Sequence, residues 1–539
     1  MRHNFLSRGA PASVMLAALI AASTIGASSL PLPPPEASSS ITVTDLRKHL
    51  TFLASDELGG RYTLSPSNRI AARYLASQLE SYGYRGAARD GSFFQKVPLG
   101  YRTVDGAGSR VVINAGDSRQ EFKYGEDFLT DNPFSGDVTG RLVFVGYGVS
   151  SPKNNYDDYA GLDVKGKIVV LVQATPASLA NAQLGDEEKD LRAAASHGAA
   201  GAIIIPPAHV LAAWEQIRSY LGGRDQLGLL AQDSSSGKAT LGLGAGPNMI
   251  KAIAKALGKE PSELMNTEGK PLQPATMPAT AEMKMKVEVK NAPPAQNVAG
   301  ILEGSDPKLK DEYVVFSAHY DHLKTEEGGE VYNGADDDGS GTASVLEIAQ
   351  AFSLGPRSKR SVLIMFHTGE EIGLFGSKFN TDYEPVVPLE KLVADLNIDM
   401  VGRSRPEGDT DSRDKELTDK NSVYIIGADK LSTELNKISE QTNADTARMN
   451  FNYAYNDVNH PEGFYYRSDH YNYAKHGIPI IFYFTGVHRD YHRPTDDVDK
   501  IDFEKMERID RMVFATGWRI ANLDHRLVVD KKPPRISRR

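Results

Sequence analysis

The sequence predicts an α/β fold: a mixed β-sheet covered by helices on both faces, interrupted by an inserted module that is β-rich or α/β. Three observations predict it. From about Asn291 onward, apolar runs of strand length alternate with helical patterns, as in a sheet wrapped by helices. Between about 131 and 285 the texture changes to strand-like runs separated by Gly, Asn and Asp turns. At 539 residues the chain also exceeds one typical domain.

Residues 1–27 read as a signal peptide. Arg2 and Arg8 supply positive charge, Ala12 to Ala22 a short apolar run, and Ala27-Ser28 small residues for cleavage. The run is too short for a stable membrane span, and no later segment is long and apolar enough for one. An exported protein, periplasmic or extracellular, is therefore expected. Residues 28–41, with Pro31 to Pro35, read as a linker. Residues 42–130 open the main domain with helical spacing at Leu46, Leu50, Leu53 and Ala54, then a second amphipathic run from Ile70 to Tyr82.

Residues 131–285 form the insertion. Its strands are expected in Arg141-Leu-Val-Phe-Val-Gly, Lys167-Ile-Val-Val-Leu-Val and Gly201-Ala-Ile-Ile-Ile, with a helix over Leu191 to Ala200. Residues 286–525 return to the main domain. Here the expected strands are Tyr313 to Ala318, Ser361 to Phe366, Val393 to Ile398, Ser422 to Ile426 and Ile478 to Phe484, with a helix over Gly339 to Leu354. Residues 526–539 read as a basic tail.

Composition excludes several functions. The net charge is −9, and no basic stripe precedes the tail, so no nucleic-acid partner is expected. Cysteine is absent, which removes disulfides, thiolate zinc sites and Cys nucleophiles. Any metal must be held by His, Asp and Glu.

Those residue types fall where an α/β sheet binds ligands, beyond the carboxyl ends of its strands. His319-Tyr-Asp321-His322 follows the first of these strands, His367-Thr-Gly-Glu370-Glu371 the second and Asp399 the third. Tyr491-His492 follows the last by a short loop, and Asp336-Asp337-Asp338 lies in a turn entering the helix. Singly, each is as well explained by a cap or a packed histidine. Brought together, so many carboxylates would repel and lose solvation without a cation. Nitrogen and oxygen donors without thiolate suit zinc, and manganese or cobalt also fit.

Five motifs occur in an order that resembles the M28 metallopeptidases: His319-Tyr-Asp321, Gly334-Ala-Asp-Asp337-Asp-Gly-Ser-Gly341, Gly369-Glu370-Glu371-Ile-Gly-Leu-Phe-Gly376-Ser377, Asn397-Ile-Asp399-Met and Tyr491-His492. The resemblance covers about 290–525 and the helical opening at 42–100. It implies a zinc-exopeptidase-like fold and two Zn2+ per chain. Val145-Gly-Tyr-Gly-Val149 and Asp163-Val-Lys-Gly-Lys-Ile-Val-Val170 resemble the protease-associated domain often inserted in larger members.

By this resemblance His319 and Asp399 would hold one zinc and Glu371 and His492 the other, with Asp337 bridging. Glu370 would be the general base acting on a water shared by the metals. Asp321 would accept the His319 N–H, and Tyr491 would donate to the oxyanion. The implied activity is removal of N-terminal residues from peptides with a free N-terminus. Ser468-Asp469-His470 would line the pocket, while His322 and His367 receive no role. A single-zinc carboxypeptidase using His367-x-x-Glu370 leaves Asp337 and Asp399 unexplained. A glutaminyl-cyclase-like transferase shares the architecture, and a receptor-like scaffold that lost its site is the non-enzymatic alternative.

Overall fold

The computed structural model describes residues 30–534 apart from 132, 181, 183, 185–187, 231–239, 266 and 268. The expected signal peptide and the last five residues of the tail lie outside the described residues.

The main sheet has nine strands among the described residues. Its centre is Tyr313–His319, flanked in parallel by Ser361–His367 and Leu392–Ile398. Ile480–Phe484 continues the parallel set beside Leu392–Ile398, and Ser422–Ile426 pairs with it antiparallel. Ala295–Leu302 lies on the other side, antiparallel to Ser361–His367, with Arg85–Gly86 and Phe94–Val97 paired outside it. Side chains alternate between two apolar layers, as the pleat dictates. Val314, Phe316, Val362 and Ile364 enter the core beneath Val43–Leu53, Pro66–Ser81, Gly341–Leu354 and Phe503–Ala521. Val315, Leu363 and Met365 enter the opposite core with Leu431, Tyr473 and Ala474. Burial on both faces is why these strands read as unbroken apolar runs.

Packing at the centre is close. Gly517 in the helix Phe503–Ala521 sits against Phe316, and a Cβ there would overlap that ring. Gly517→Ala should improve helix propensity yet lower stability by about 1–3 kcal/mol through overpacking, read from denaturant unfolding.

The insertion builds its own sheet of eight strands among the described residues. Ile168–Val172 lies between Gly136–Phe144 and Gly201–Ile205, all parallel. Phe144, Val170, Ile203, Leu243 and Ile253 form a core separate from that of the main domain. Leu99–Val104 leads out of the main domain and Val287–Asn291 returns beside it, antiparallel, with Gln226–Leu229 on the far side. These three strands make the neck.

Three expected boundaries are corrected. The insertion's sheet starts earlier than 131, because Arg110–Ala115, Ser118–Lys123 and Phe128–Leu129 belong to it. Ser118–Lys123 is a mostly exposed edge strand, so it lacks the apolar run that marks a buried one. The linker 28–41 ends in a packed helix, Pro35–Ser40, with Ala37 and Ile41 fully buried. Proline at its first turn supports a helix start as readily as a linker. The beginning of the tail is also docked: Leu527 is buried, and the Val528 N–H donates to Glu434.

Candidate metal centre

The expected acids and histidines meet at the carboxyl edge of the main sheet. His319 ends its strand fully buried. Its Nε2 lies 3.4 Å from Asp337 Oδ1, 3.6 Å from Asp399 Oδ2 and 3.9 Å from Glu370 Oε2. On the other side of the same carboxylate, His492 Nε2 lies 3.1 Å from Asp337 Oδ2 and 3.1 Å from Glu371 Oε2. Asp337 thus presents one oxygen to each imidazole.

Local structure holds that carboxylate in place. The N–H groups of Asp336 and Asp337 both donate to Asp496 Oδ2, at 3.0 and 3.1 Å. Asp338 ties three segments together, accepting from the N–H groups of His319, Gly341 and Met400. Arg61, almost wholly buried, donates to the carbonyls of Leu53, Tyr320, Asn333 and Gly334. It joins the N-terminal segment to both loops that carry the cluster. Asp399 accepts from the Ser468 hydroxyl at 2.7 Å.

Asp321 is close by but engages differently from expectation. His319 Nδ1 lies 3.1 Å from the Asp321 carbonyl oxygen and 3.7 Å from its carboxylate. The carboxylate instead accepts from the Thr63 hydroxyl and the Glu370 N–H. The chain leaves strand geometry after His319, so period-two reasoning fails at Asp321. Asp321 therefore orients the imidazole through its backbone and the Glu370 turn through its side chain. Tyr491 stacks on His492 with ring centroids 3.8 Å apart, and burial pushes its phenol up.

The remaining histidines separate. His367 and His470 are packed: His367 Nε2 meets the Tyr473 hydroxyl at 3.1 Å, and His470 Nε2 meets the Tyr465 carbonyl at 2.9 Å. Burial lowers both rings to about 3. The His367-x-x-Glu370 alternative loses its histidine, and the pocket-lining expectation for His470 is replaced by stacking on Phe482. His322 does the opposite. It is fully buried, with Nδ1 2.6 Å from Glu371 Oε1 and 3.7 Å from Asp337 Oδ2. Sequence reasoning also missed Thr63, Asp496 and Arg61, whose only signal was proximity to a motif or none, whereas Ser468, expected at the pocket, bonds Asp399.

The electrostatics fit a cation site. Burial pushes the Asp337 carboxyl up, but His319, His492 and His322 hold it well below the usual carboxylate range. Burial pushes His492 down, and Asp337 and Glu371 overcome it to about 10. Glu370 is raised well above its ordinary value, by burial first and then by Glu371, Asp399 and Asp469, against the pull of His319. Asp337 Oδ2, Glu371 Oε1 and both His322 nitrogens are shielded from solvent without a hydrogen-bond partner. Buried polar atoms this close, unpaired and acidic, fit divalent cations on either side of Asp337. Within the described residues, His319, Glu370 and Asp399 form one donor group, and His322, Asp337 and Glu371 another. Cations there would displace the protons that the imidazoles otherwise retain.

Beside the acids lies a small pocket lined by Met400, Phe464, Phe482, Phe484 and Val487, with Arg467 and Tyr491 on its wall. It opens directly onto Glu370, Asp337 and Asp399.

Residues 297–517 match the model of peptidase family M28. The chain is 25% identical over 263 residues to aminopeptidase YwaD of Bacillus subtilis, covering 48% of this chain and 50% of that protein. It is 27% identical over 246 residues to a probable leucine aminopeptidase of Arthroderma otae, covering 44% and 60%. The chain thus spans about half the length of these curated relatives. Among solved structures, an aminopeptidase from Aneurinibacillus sp. strain AM-1 aligns over 92% of this chain and 97% of its own, at 21% identity and a TM-score of 0.45. Both imidazoles, the shared carboxylate and the Glu370-Glu371 pair all lie within the residues that match the model of peptidase family M28.

Proposed function

We propose that the protein is a zinc-dependent exopeptidase that removes residues from the free N-terminus of peptides. The observation that carries this reading is the Asp337 carboxylate between His319 and His492, with Glu370 beside it. His319, Asp399 and Asp337 would hold one zinc, and Asp337, Glu371 and His492 the other; manganese or cobalt suits the same donors. Bound there, the pair would supply Lewis acidity toward the scissile carbonyl and lower the pKa of a water between them.

The protein's own groups do the rest. Glu370 takes a proton from the attacking water and returns it to the leaving nitrogen as the C–N bond breaks. Asp321 keeps the Glu370 turn and the His319 ring aligned. Tyr491, on the pocket wall, is placed to donate to oxygen charge developing on the carbonyl. Asp399 and Glu370 attract the substrate's α-ammonium, and the wall of Met400, Phe464, Phe482, Phe484 and Val487 accepts an apolar side chain.

The insertion, by its motif resemblance, acts as a protease-associated domain that restricts access to peptides. The leader pattern at 1–27 supports export, and no described helix is long and apolar enough to cross a membrane.

Chelation tests metal dependence and exopeptidase character together. Stripping metal should abolish cleavage of aminoacyl anilides, zinc should restore it, and N-acetylated counterparts should resist throughout. Turnover by the stripped protein, or equal cleavage of blocked peptides, would overturn the reading.

A further inference from the structure

His322 is the one cluster histidine that the five motifs leave without a role. From its geometry we propose that it is a sixth protein donor, joining Asp337, Glu371 and His492 around one cation. The two metal positions are then unequal. This inference rests on the two-cation reading of the site.

Three observations carry it. First, the ring is completely buried, yet neither nitrogen has a hydrogen-bond partner. A packed histidine normally keeps at least one nitrogen bonded, as His367 and His470 do here, because an orphaned polar atom in the interior is costly. Second, one ligand atom each from His322, Asp337 and Glu371 lie within 4.8 Å of one another, close enough to converge on one cation.

Third, the ring's place is built into the fold. Gly334 has φ 55°, and a Cβ there would come within 2.5 Å of the His322 ring. Arg61 clamps the carbonyls of Tyr320 and Gly334, on either side of that contact. The ring also meets His492 edge-on, with centroids 5.8 Å apart. His322 is thus held on the side of the cluster that His492 and Glu371 occupy.

The consequence is a division of labour. Around Asp337 Oδ2 the protein offers His322, Glu371 and His492; around Oδ1 it offers His319 and Asp399. Four protein donors hold a cation more tightly than three, so the position on the His322 side is the tighter of the two.

Zinc titration of stripped protein against a competing chelator reads this directly, with a zinc absorption-edge count of imidazole nitrogens. Wild type should bind two zinc ions in unequal steps, with three imidazoles shared between them. His322→Ala should weaken the tighter step at least about 10-fold, leave the other unchanged, and lower the count to two. If the alanine variant fails to fold by circular dichroism, His322→Gln keeps the volume and serves the same readouts. Unchanged affinity in the variant would overturn the inference while sparing the two-cation reading. Weakened affinity with an unchanged imidazole count would place His322 behind Glu371, off the cation, and also overturn it. A wild type that binds no zinc pair would overturn the two-cation reading and this inference with it.

Discussion

Glu370→Ala is expected to lower kcat by about 10²–10⁴-fold while the zinc content stays at the wild-type value. The carboxylate lies 3.9 Å from His319 Nε2, at the mouth of the apolar pocket, so it faces the space where a peptide bond would sit. The neighbouring Glu371 turns the other way, 3.1 Å from His492. Removing Glu370 therefore takes away proton transfer and leaves Asp337, Glu371, Asp399 and the histidines in place. Glu370→Gln separates charge from shape. It should be nearly as inactive as alanine, because an amide cannot accept the proton. Steady-state kinetics together with metal analysis checks both. A variant with near-normal kcat would remove Glu370 from the base role, and one that lost zinc would make it a ligand.

Asp337→Ala should be as severe in activity and different in kind: both metals should be lost. One carboxylate serves two imidazole sides, and its backbone is anchored through the Asp496 carboxylate. Truncation removes the shared donor and leaves like-charged acids facing each other without their bridge. Zinc affinity at both positions should fall by more than the about 10–100-fold typical of losing an outer hydrogen-bonding partner. His492→Ala should mainly disturb the position on its own side. Titration with a zinc-binding dye distinguishes the two: loss of a single zinc from Asp337→Ala would contradict a bridging role.

Much of the site was legible because its chemistry sits on regular elements. Strands buried on both faces gave the runs Val-Val-Phe-Ser-Ala and Val-Leu-Ile-Met-Phe, and the acids and histidines appear where those runs stop. The residues that sequence reasoning misplaced or left without a role lie where the period ends. His322 and the Asp321 carboxylate follow the last strand residue, and no repeat specifies their directions. Ser118–Lys123 was misassigned because an exposed edge strand has no apolar signature. The helix at Pro35–Ser40 was hidden by its prolines, which open helices and linkers alike.

Local pattern alone determined the alternation of strands and helices, the absence of thiolate chemistry, and the residue types available to bind a cation. Those properties depend on neighbours in the chain and on composition. Contacts across long stretches of chain decided which oxygen faces which ring, that Arg61 fastens two loops more than 250 residues away in sequence, and that His322 joins the cluster while His367 and His470 do not. Such choices follow from packing and from the cost of burying unpaired polar atoms, and both exist only once the chain has closed around them.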